Sequence, residues 1–270
     1  MKIDLHLHSY ISDGQLSPTQ LMEAARAGGL DMVALTDHDT AAGVADAREA
    51  AGRLGLEFLP GIELSTRYGE NEFHILGYGI DSESIAMKAH QESSVVRRTE
   101  RMRAMVDRLH ELGVEVSFDE VLTAAGPAES LGRPHLARAL LAGGHTRYYG
   151  EAFSRFISDA GPAFVSQGFP DVSDAIRTIH DAGGFAVWAH PPLDLFEAHI
   201  PAFRELGIDG VECFRPGTLP LDIKWLEGIT RSEGLFPTGG SDWHGPHRSA
   251  LGDFYVRPED IPEVLEARRR

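Results

Sequence analysis

The chain has 270 residues with 25 Lys+Arg against 41 Asp+Glu, a formal charge of −16, and that acidity argues against general duplex nucleic-acid binding, which relies on a basic surface. A lone cysteine, Cys213, excludes an internal disulfide framework, and no apolar run approaches the roughly 20 residues of a membrane span. With Asp4, His6 and His8 interrupting any apolar signal core, a cytoplasmic location is expected, and the 13 histidines become the feature to explain.

The first eighty residues alternate short apolar runs with amphipathic stretches. Ile3–Leu7 reads as a strand. Ser17-Pro18-Thr19-Gln20 starts a helix, with Ser at the cap, Pro at the first position and Gln three residues after the cap; Gly28-Gly29 ends it. Met32–Leu35 is the next strand, residues 41–54 a helix, residues 57–62 a third strand and residues 73–78 a fourth. Short strands spaced by helices predict parallel βα units. From residue 84 to 112 the pattern turns helical, with Met102, Met105, Val106, Leu109 and Leu112 forming a stripe. The arginines Arg97, Arg98, Arg101, Arg103 and Arg108 read as a solvated face paired with glutamates. Shorter helical pieces follow, with no strong strand before residue 163, so residues 82–164 are predicted to be a helical insertion between the barrel segments 1–81 and 165–270. The βα rhythm resumes with helix 172–182, strand 185–189, helix 201–206, strand 210–214, helix 222–232 and strand 236–239, and residues 257–270 form a terminal helix. Seven strands of this kind make either a barrel or an open doubly wound sheet.

Polar residues gather where these strands end. Strand one ends in His6-Leu7-His8 with Asp13 beyond it, strand two in Thr36-Asp37-His38-Asp39, and strand three in Gly61-Ile62-Glu63. His74 opens strand four; His190 ends strand five, Glu212 and Arg215 strand six, and Ser241-Asp242-Trp243-His244 strand seven. Loops at the carboxyl ends of parallel strands converge on one face, and imidazoles with carboxylates suit divalent transition metals. Alternate strand residues share a face, so His6 and His8 can reach one ion. Each piece has a structural alternative: Glu63 as a helix cap or salt-bridge partner, His190 as a satisfied core histidine. Their joint occurrence on five of the seven strands favours metal. Asp37 fits two roles, orienting an imidazole or capping the next helix. Cys213 reads as packing, and His90, His110, His145, His180, His199 and His247 as surface or loop residues.

In order, Asp4-Leu5-His6-Leu7-His8-Ser9, Thr36-Asp37-His38-Asp39, Gly61-Ile62-Glu63, His190-Pro191 and Gly240-Ser241-Asp242-Trp243-His244 resemble the motifs of the PHP family, named for its polymerase and histidinol phosphatase members. The resemblance implies an α/β fold, a distorted (β/α)7 barrel with a helical insertion, and two to three divalent ions (Mn, Fe or Zn). By motif, His6, His8, Glu63 and Asp242 would hold one metal; Glu63, His74 and His190 a second; Asp13, His38 and His244 a third. Asp13 stands where other members carry histidine. Glu63, Asp242 and His190 are expected to carry catalysis, with metal-activated hydroxide attacking phosphorus. Leu131-Gly132-Arg133-Pro134-His135 resembles the Gly-Arg-Pro-His stretch of a subgroup acting on nucleotide-like phosphates, which makes Arg133 and His135 substrate candidates beside Arg215. The expected reaction is hydrolysis of a small phosphorylated metabolite, a nucleoside 3′,5′-bisphosphate, with 5′ ends of short RNA as a further substrate. The alternatives are a sugar cyclic-phosphate phosphodiesterase, a histidinol-phosphate phosphatase and, in a different class, a non-catalytic module bound to a polymerase.

Overall fold

The computed structural model describes residues 1–270 other than Gln167, His247, Arg248 and 268–270. It divides into two compact units, one made of Met1–Gln91 with Phe169–Arg270 and the other of Glu92–Gly168.

The first unit is built on seven strands: β1 (Ile3–Leu7), β2 (Met32–Leu35), β3 (Glu57–Tyr68), β4 (Asn71–Tyr78), β5 (Phe185–Trp188), β6 (Gly210–Phe214) and β7 (Phe236–Gly239). They form one sheet in sequential order. Leu7 is bridged to Trp243 just past β7, with His8 N donating to Trp243 O at 3.0 Å, so the first strand meets the segment that follows the last. β1, β2 and β3 run parallel, as do β5, β6 and β7. β4 departs from the expected parallel pattern, because it is antiparallel to both β3 and β5. β3 also runs six residues past its predicted end at Ile62 and turns through Gly69-Glu70 into β4 as a two-residue hairpin. Gly69 takes φ 60°, a region open to glycine, which makes the tight turn possible.

Helices α1 (Pro18–Ala27) and α2 (Val44–Leu54) follow the first two strands. Ser17 and Gln20 form the predicted capping box of α1, whereas α2 starts three residues later than expected, at Gly43 with no side-chain cap. Helix α3 (Ile85–Glu111) crosses the division between the units, which falls after Gln91. Beyond the second unit come α7 (Val172–Asp181), α8 (Leu193–Glu205), α9 (Pro220–Ser232) and α10 (Pro262–Ala267). Helix α8 begins eight residues before its predicted start and contains Pro201. Proline removes the bond to the Glu197 carbonyl, and Glu197 faces solvent, where water can serve that carbonyl, so the helix tolerates it. The expected terminal helix narrows to α10, and its last three arginines lie outside the described residues.

Two apolar layers sort the strand faces. Ile62, Leu64, Phe73, Ile75 and Trp188 face outward under α7 and α8, while Leu5, Ala34, Leu59, Leu76, Tyr78 and Val187 fill the inside of the sheet. Among the described residues, no helix is long and apolar enough to cross a membrane.

The second unit holds α4 (Phe118–Ala125), α5 (Arg133–Ala142), α6 (Tyr149–Ala152) and a π-helical turn at Phe153–Ile157. Its core packs Met102, Met105, Val106 and Leu109 against Val121, Leu136, Leu140 and Ile157, while Leu112 is exposed. The arginine face differs from expectation. Arg98 is buried and donates to Leu131 O, Arg101 donates to Val165 O, and Arg108 donates to Phe164 O, so these cations hold main-chain carbonyls.

Candidate metal centre

Glu63 is the hub of the site. It sits on the inner face of β3, fully buried, with five imidazoles around its carboxylate. Oε2 lies 3.2 Å from His6 Nε2, 3.2 Å from His8 Nε2 and 3.1 Å from His38 Nδ1. Oε1 lies 2.8 Å from His74 Nδ1 and 2.9 Å from His190 Nε2, and those two nitrogens are 3.3 Å apart. Asp242 Oδ1 is 3.3 Å from His6 Nε2 and 3.2 Å from His8 Nε2. On the other side of His8, His244 Nε2 is 3.2 Å from Asp13 Oδ1, and His38 Nε2 is 3.9 Å from Asp13 Oδ2. All nine residues singled out as ligands therefore converge.

Among the described residues, three donor groups have metal-ligand spacing: His6, His8, Glu63 and Asp242; His38, Glu63 and His74; and His8, Asp13, His38 and His244. The first matches the expected set. The mutual distances above also group Glu63, His74 and His190. In the remaining set, His8 joins Asp13, His38 and His244, its Nδ1 lying 3.8 Å from Asp13 Oδ1.

The hydrogen-bond chemistry fits bound cations. Glu212 Oε1 accepts from His6 Nδ1 at 2.9 Å, which assigns the ring hydrogen to that nitrogen. His6 Nε2 then faces Glu63 and Asp242 at 3.2 and 3.3 Å, and despite burial the carboxylates of Glu212, Glu63 and Asp242 favour a positive charge there, supplied by a ring proton or by a bound cation. His8 Nε2 and His38 Nδ1 are buried without a hydrogen-bond partner, although each lies beside Glu63. Buried polar atoms are almost always satisfied, and donors aimed at a metal position are a physical reason for these exceptions.

Charges in the cluster are set by burial against ionic neighbours. Burial opposes ionisation of Glu63, but His38, His6 and His74 hold its carboxyl well below the usual range. Asp13 and Asp242 are lowered against burial too, each chiefly by His244. Burial likewise works against His8, yet the adjacent Asp242 and Glu63 carboxylates lift it to about 10, whereas at His38 burial prevails and lowers it to about 3. Three ionised carboxylates at one place give the cluster its demand for cations.

A second layer fixes the first. Glu212 Oε2 also accepts from His190 N at 2.8 Å. Asp4 accepts from Ser241 N and from His6 N, tying the segment after β7 to β1, and burial raises its carboxyl to about 6. Asp37 does not cap α2, and it reaches an imidazole only through Ser12 Oγ, 3.5 Å from His8 Nδ1. It accepts from Ser9 N at 2.8 Å, Ser9 Oγ at 2.6 Å and Ser12 Oγ at 2.7 Å, which pins the loop that carries Asp13. His90, expected at the surface, is buried and bonded to Asp39, which in turn accepts from Ser65 N. Among the described residues, the non-glycine positions with positive φ are Asp39, His190 and Asp242, at 53°, 29° and 52°. All three stand at this centre, where surrounding bonds hold an unfavourable backbone. Glu212 had a readable signal, a carboxylate inside the apolar strand Val211–Phe214; Asp4 and His90 gave none beyond their residue type.

The substrate candidates lie in different surroundings. Arg215, just after β6, donates to Pro191 O at 3.1 Å and to Thr218 Oγ1 at 3.1 Å, beside the loop that carries His190. Arg133 and His135 belong to the second unit. There Arg133 pairs with Asp159 at 2.5 Å, and His135 Nδ1 accepts from Gly132 N, capping α5. Cys213 is buried against Thr230, which, with burial foremost, leaves its thiol at about 12, as a packing residue would be. His247 lies outside the described residues.

The PHP domain family matches residues 4–86. A 3′,5′-nucleoside bisphosphate phosphatase of Chromobacterium violaceum is 34% identical over 267 residues, 97% of this chain and 93% of that relative. A 5′-3′ exoribonuclease of Haemophilus influenzae is 35% identical over 91% of this chain and 90% of its own length. A phosphoribosyl 1,2-cyclic phosphate 1,2-diphosphodiesterase of Eggerthella lenta is 34% identical over 90% and 94%. The crystal structure of a proposed metal-dependent phosphoesterase from Bifidobacterium adolescentis superposes with a TM-score of 0.88 at 30% identity, covering 98% of this chain and 96% of its own. Identity of this extent along nearly the whole chain, with its motif residues gathered around one carboxylate, establishes that the chain belongs to the PHP family.

Proposed function

We propose that this chain is a metal-dependent phosphoesterase that hydrolyses nucleoside 3′,5′-bisphosphates at the 3′-phosphate and also accepts 5′ ends of short RNA. The observation that carries the phosphoesterase reading is Glu63, one buried carboxylate flanked by five imidazole nitrogens at 2.8–3.2 Å, a donor set able to bridge two ions. The choice of substrate is supported by the nucleotide-directed relatives in Chromobacterium and Haemophilus.

His6, His8, Glu63 and Asp242 would hold one ion, Glu63, His74 and His190 a second, and Asp13, His38 and His244 a third. When bound, such ions lower the pKa of a coordinated water and neutralise phosphate oxygens. The protein supplies orientation. Glu212 keeps His6 in one tautomer and His190 in its backbone geometry; Asp37 holds the Asp13 loop through Ser9 and Ser12. Asp242, His74 and His190, about one-third exposed, are the cluster members most open to an incoming phosphate. Arg215 stands beside His190 with a planar guanidinium suited to a phosphate oxygen pair. Arg133 and His135 join this reading on the resemblance of their stretch alone, since each already serves its own unit.

A phosphate-release screen in manganese tests this. The substrates are nucleoside 3′,5′-bisphosphates, 5′-phosphorylated short RNAs, cyclic sugar phosphates and histidinol phosphate. Preference for the bisphosphate is expected; preference for a cyclic sugar phosphate, the substrate type of the Eggerthella relative, would replace the substrate assignment.

A further inference from the structure

The β3–β4 hairpin runs past the neighbouring strands. β3 has 12 residues and β4 has 8, whereas β2, β5 and β7 have four each. Side chains alternate along a strand, and burial separates the two rows of β3. Ile62 and Leu64 face the outer core, while Leu59 faces the inner core and Glu63 the histidine cluster. Ser65 and Arg67 continue the inner row beyond Glu63. Ser65 is still buried and lies opposite His74 in register, while Arg67 is exposed and lies opposite Glu72. Arg67 thus stands four residues past Glu63, about 13 Å along the strand, at the mouth of the site and on the row that carries its central ligands. Its backbone is fixed there, with Arg67 N donating to Pro170 O at 3.0 Å. Its guanidinium makes no hydrogen bond or ion pair among the described residues, even with Glu72 across the hairpin.

We infer that Arg67 is a specificity residue, which binds a second, non-scissile phosphate at the mouth while the scissile phosphate occupies the histidine-carboxylate cluster. An arginine fork matches phosphate bidentately. Its place on the inner row, displaced along the strand from Glu63, suits a small ligand with two anionic groups on one scaffold. A surface of net charge −16 otherwise repels the distal phosphate, so one cation held on the site's own row has a large effect on selection.

The inference rests on the bisphosphate reading, and its test separates the two. Wild type, Arg67→Ala and Arg67→Lys are assayed in manganese on a nucleoside 3′,5′-bisphosphate and on the matching 3′-monophosphate, with melting temperatures to confirm folding. Arg67→Ala should lower kcat/KM for the bisphosphate about 10- to 100-fold, mainly through KM, as expected for a lost charge-assisted hydrogen bond. Its effect on the monophosphate should be at least about tenfold smaller. Arg67→Lys should recover part of the loss, since the charge remains and the fork does not. Equal losses on both substrates, or none on either, overturn the role of Arg67 and leave the phosphoesterase reading standing. A wild type inactive on both overturns the bisphosphate reading and this inference with it.

Discussion

Glu212→Gln probes how the centre is held together without touching a ligand. The present carboxylate is fully buried, and both of its oxygens accept, Oε1 from His6 Nδ1 at 2.9 Å and Oε2 from His190 N at 2.8 Å. Glutamine keeps the shape but offers one acceptor and one NH2 group. One of the two partners must then meet a donor, and an unsatisfied buried donor costs about 1–3 kcal/mol. If His190 N is the one abandoned, a main-chain bond that holds its backbone at φ 29° is lost, and that conformation itself costs about 1–3 kcal/mol. If His6 is abandoned, its tautomer is no longer fixed. Either way one metal ligand drifts, and losses of this kind lower metal affinity or activity about 10- to 100-fold. Titration calorimetry with manganese, kcat/KM and a thermal melt would read this out together. Wild-type metal affinity and turnover in a folded Glu212→Gln variant would refute the argument.

Two further substitutions test the frame. Gly240→Ala places a Cβ 2.2 Å from His6 Cβ and 2.5 Å from His6 N, so β1 or the segment after β7 must move. Expected are a lowered melting temperature and a loss of manganese affinity; an unaltered variant would contradict the packing of these segments. Asp37→Asn removes an acceptor from a carboxylate that takes three hydrogen bonds from Ser9 and Ser12. It should loosen the Asp13 loop and lower the affinity for the most weakly held ion about tenfold or more, with the other ions retained, measured as metal content against free manganese.

Much of the centre could be read from residue order because strand geometry is local. His6 and His8 share a face by alternation, and the structure places both Nε2 atoms 3.2 Å from Glu63. What escaped depended on distant pairing. The hairpin is hard to read locally because the apolar run ends at Glu63, where the inner row turns polar, although the outer row continues through Ile62-Leu64 and the alternation runs on to Arg67. Glu212 reaches across the sheet to His6, 206 residues earlier in the chain, and no local pattern encodes that partner. His90 meets Asp39 through the same kind of long-range contact. The arginines of α3 looked solvated because charge spacing does not reveal which carbonyls the second unit will present to them.

The central claim is that one carboxylate with its ring of histidines holds catalytic metal. Elemental analysis of protein purified without chelator, taken alongside phosphate release from a nucleoside 3′,5′-bisphosphate, tests it most directly. The account predicts about two to three divalent ions per chain, activity lost on chelation and restored by manganese, and loss of both metal and turnover in folded His8→Ala and Asp242→Ala. Full turnover by protein that contains no metal would contradict it.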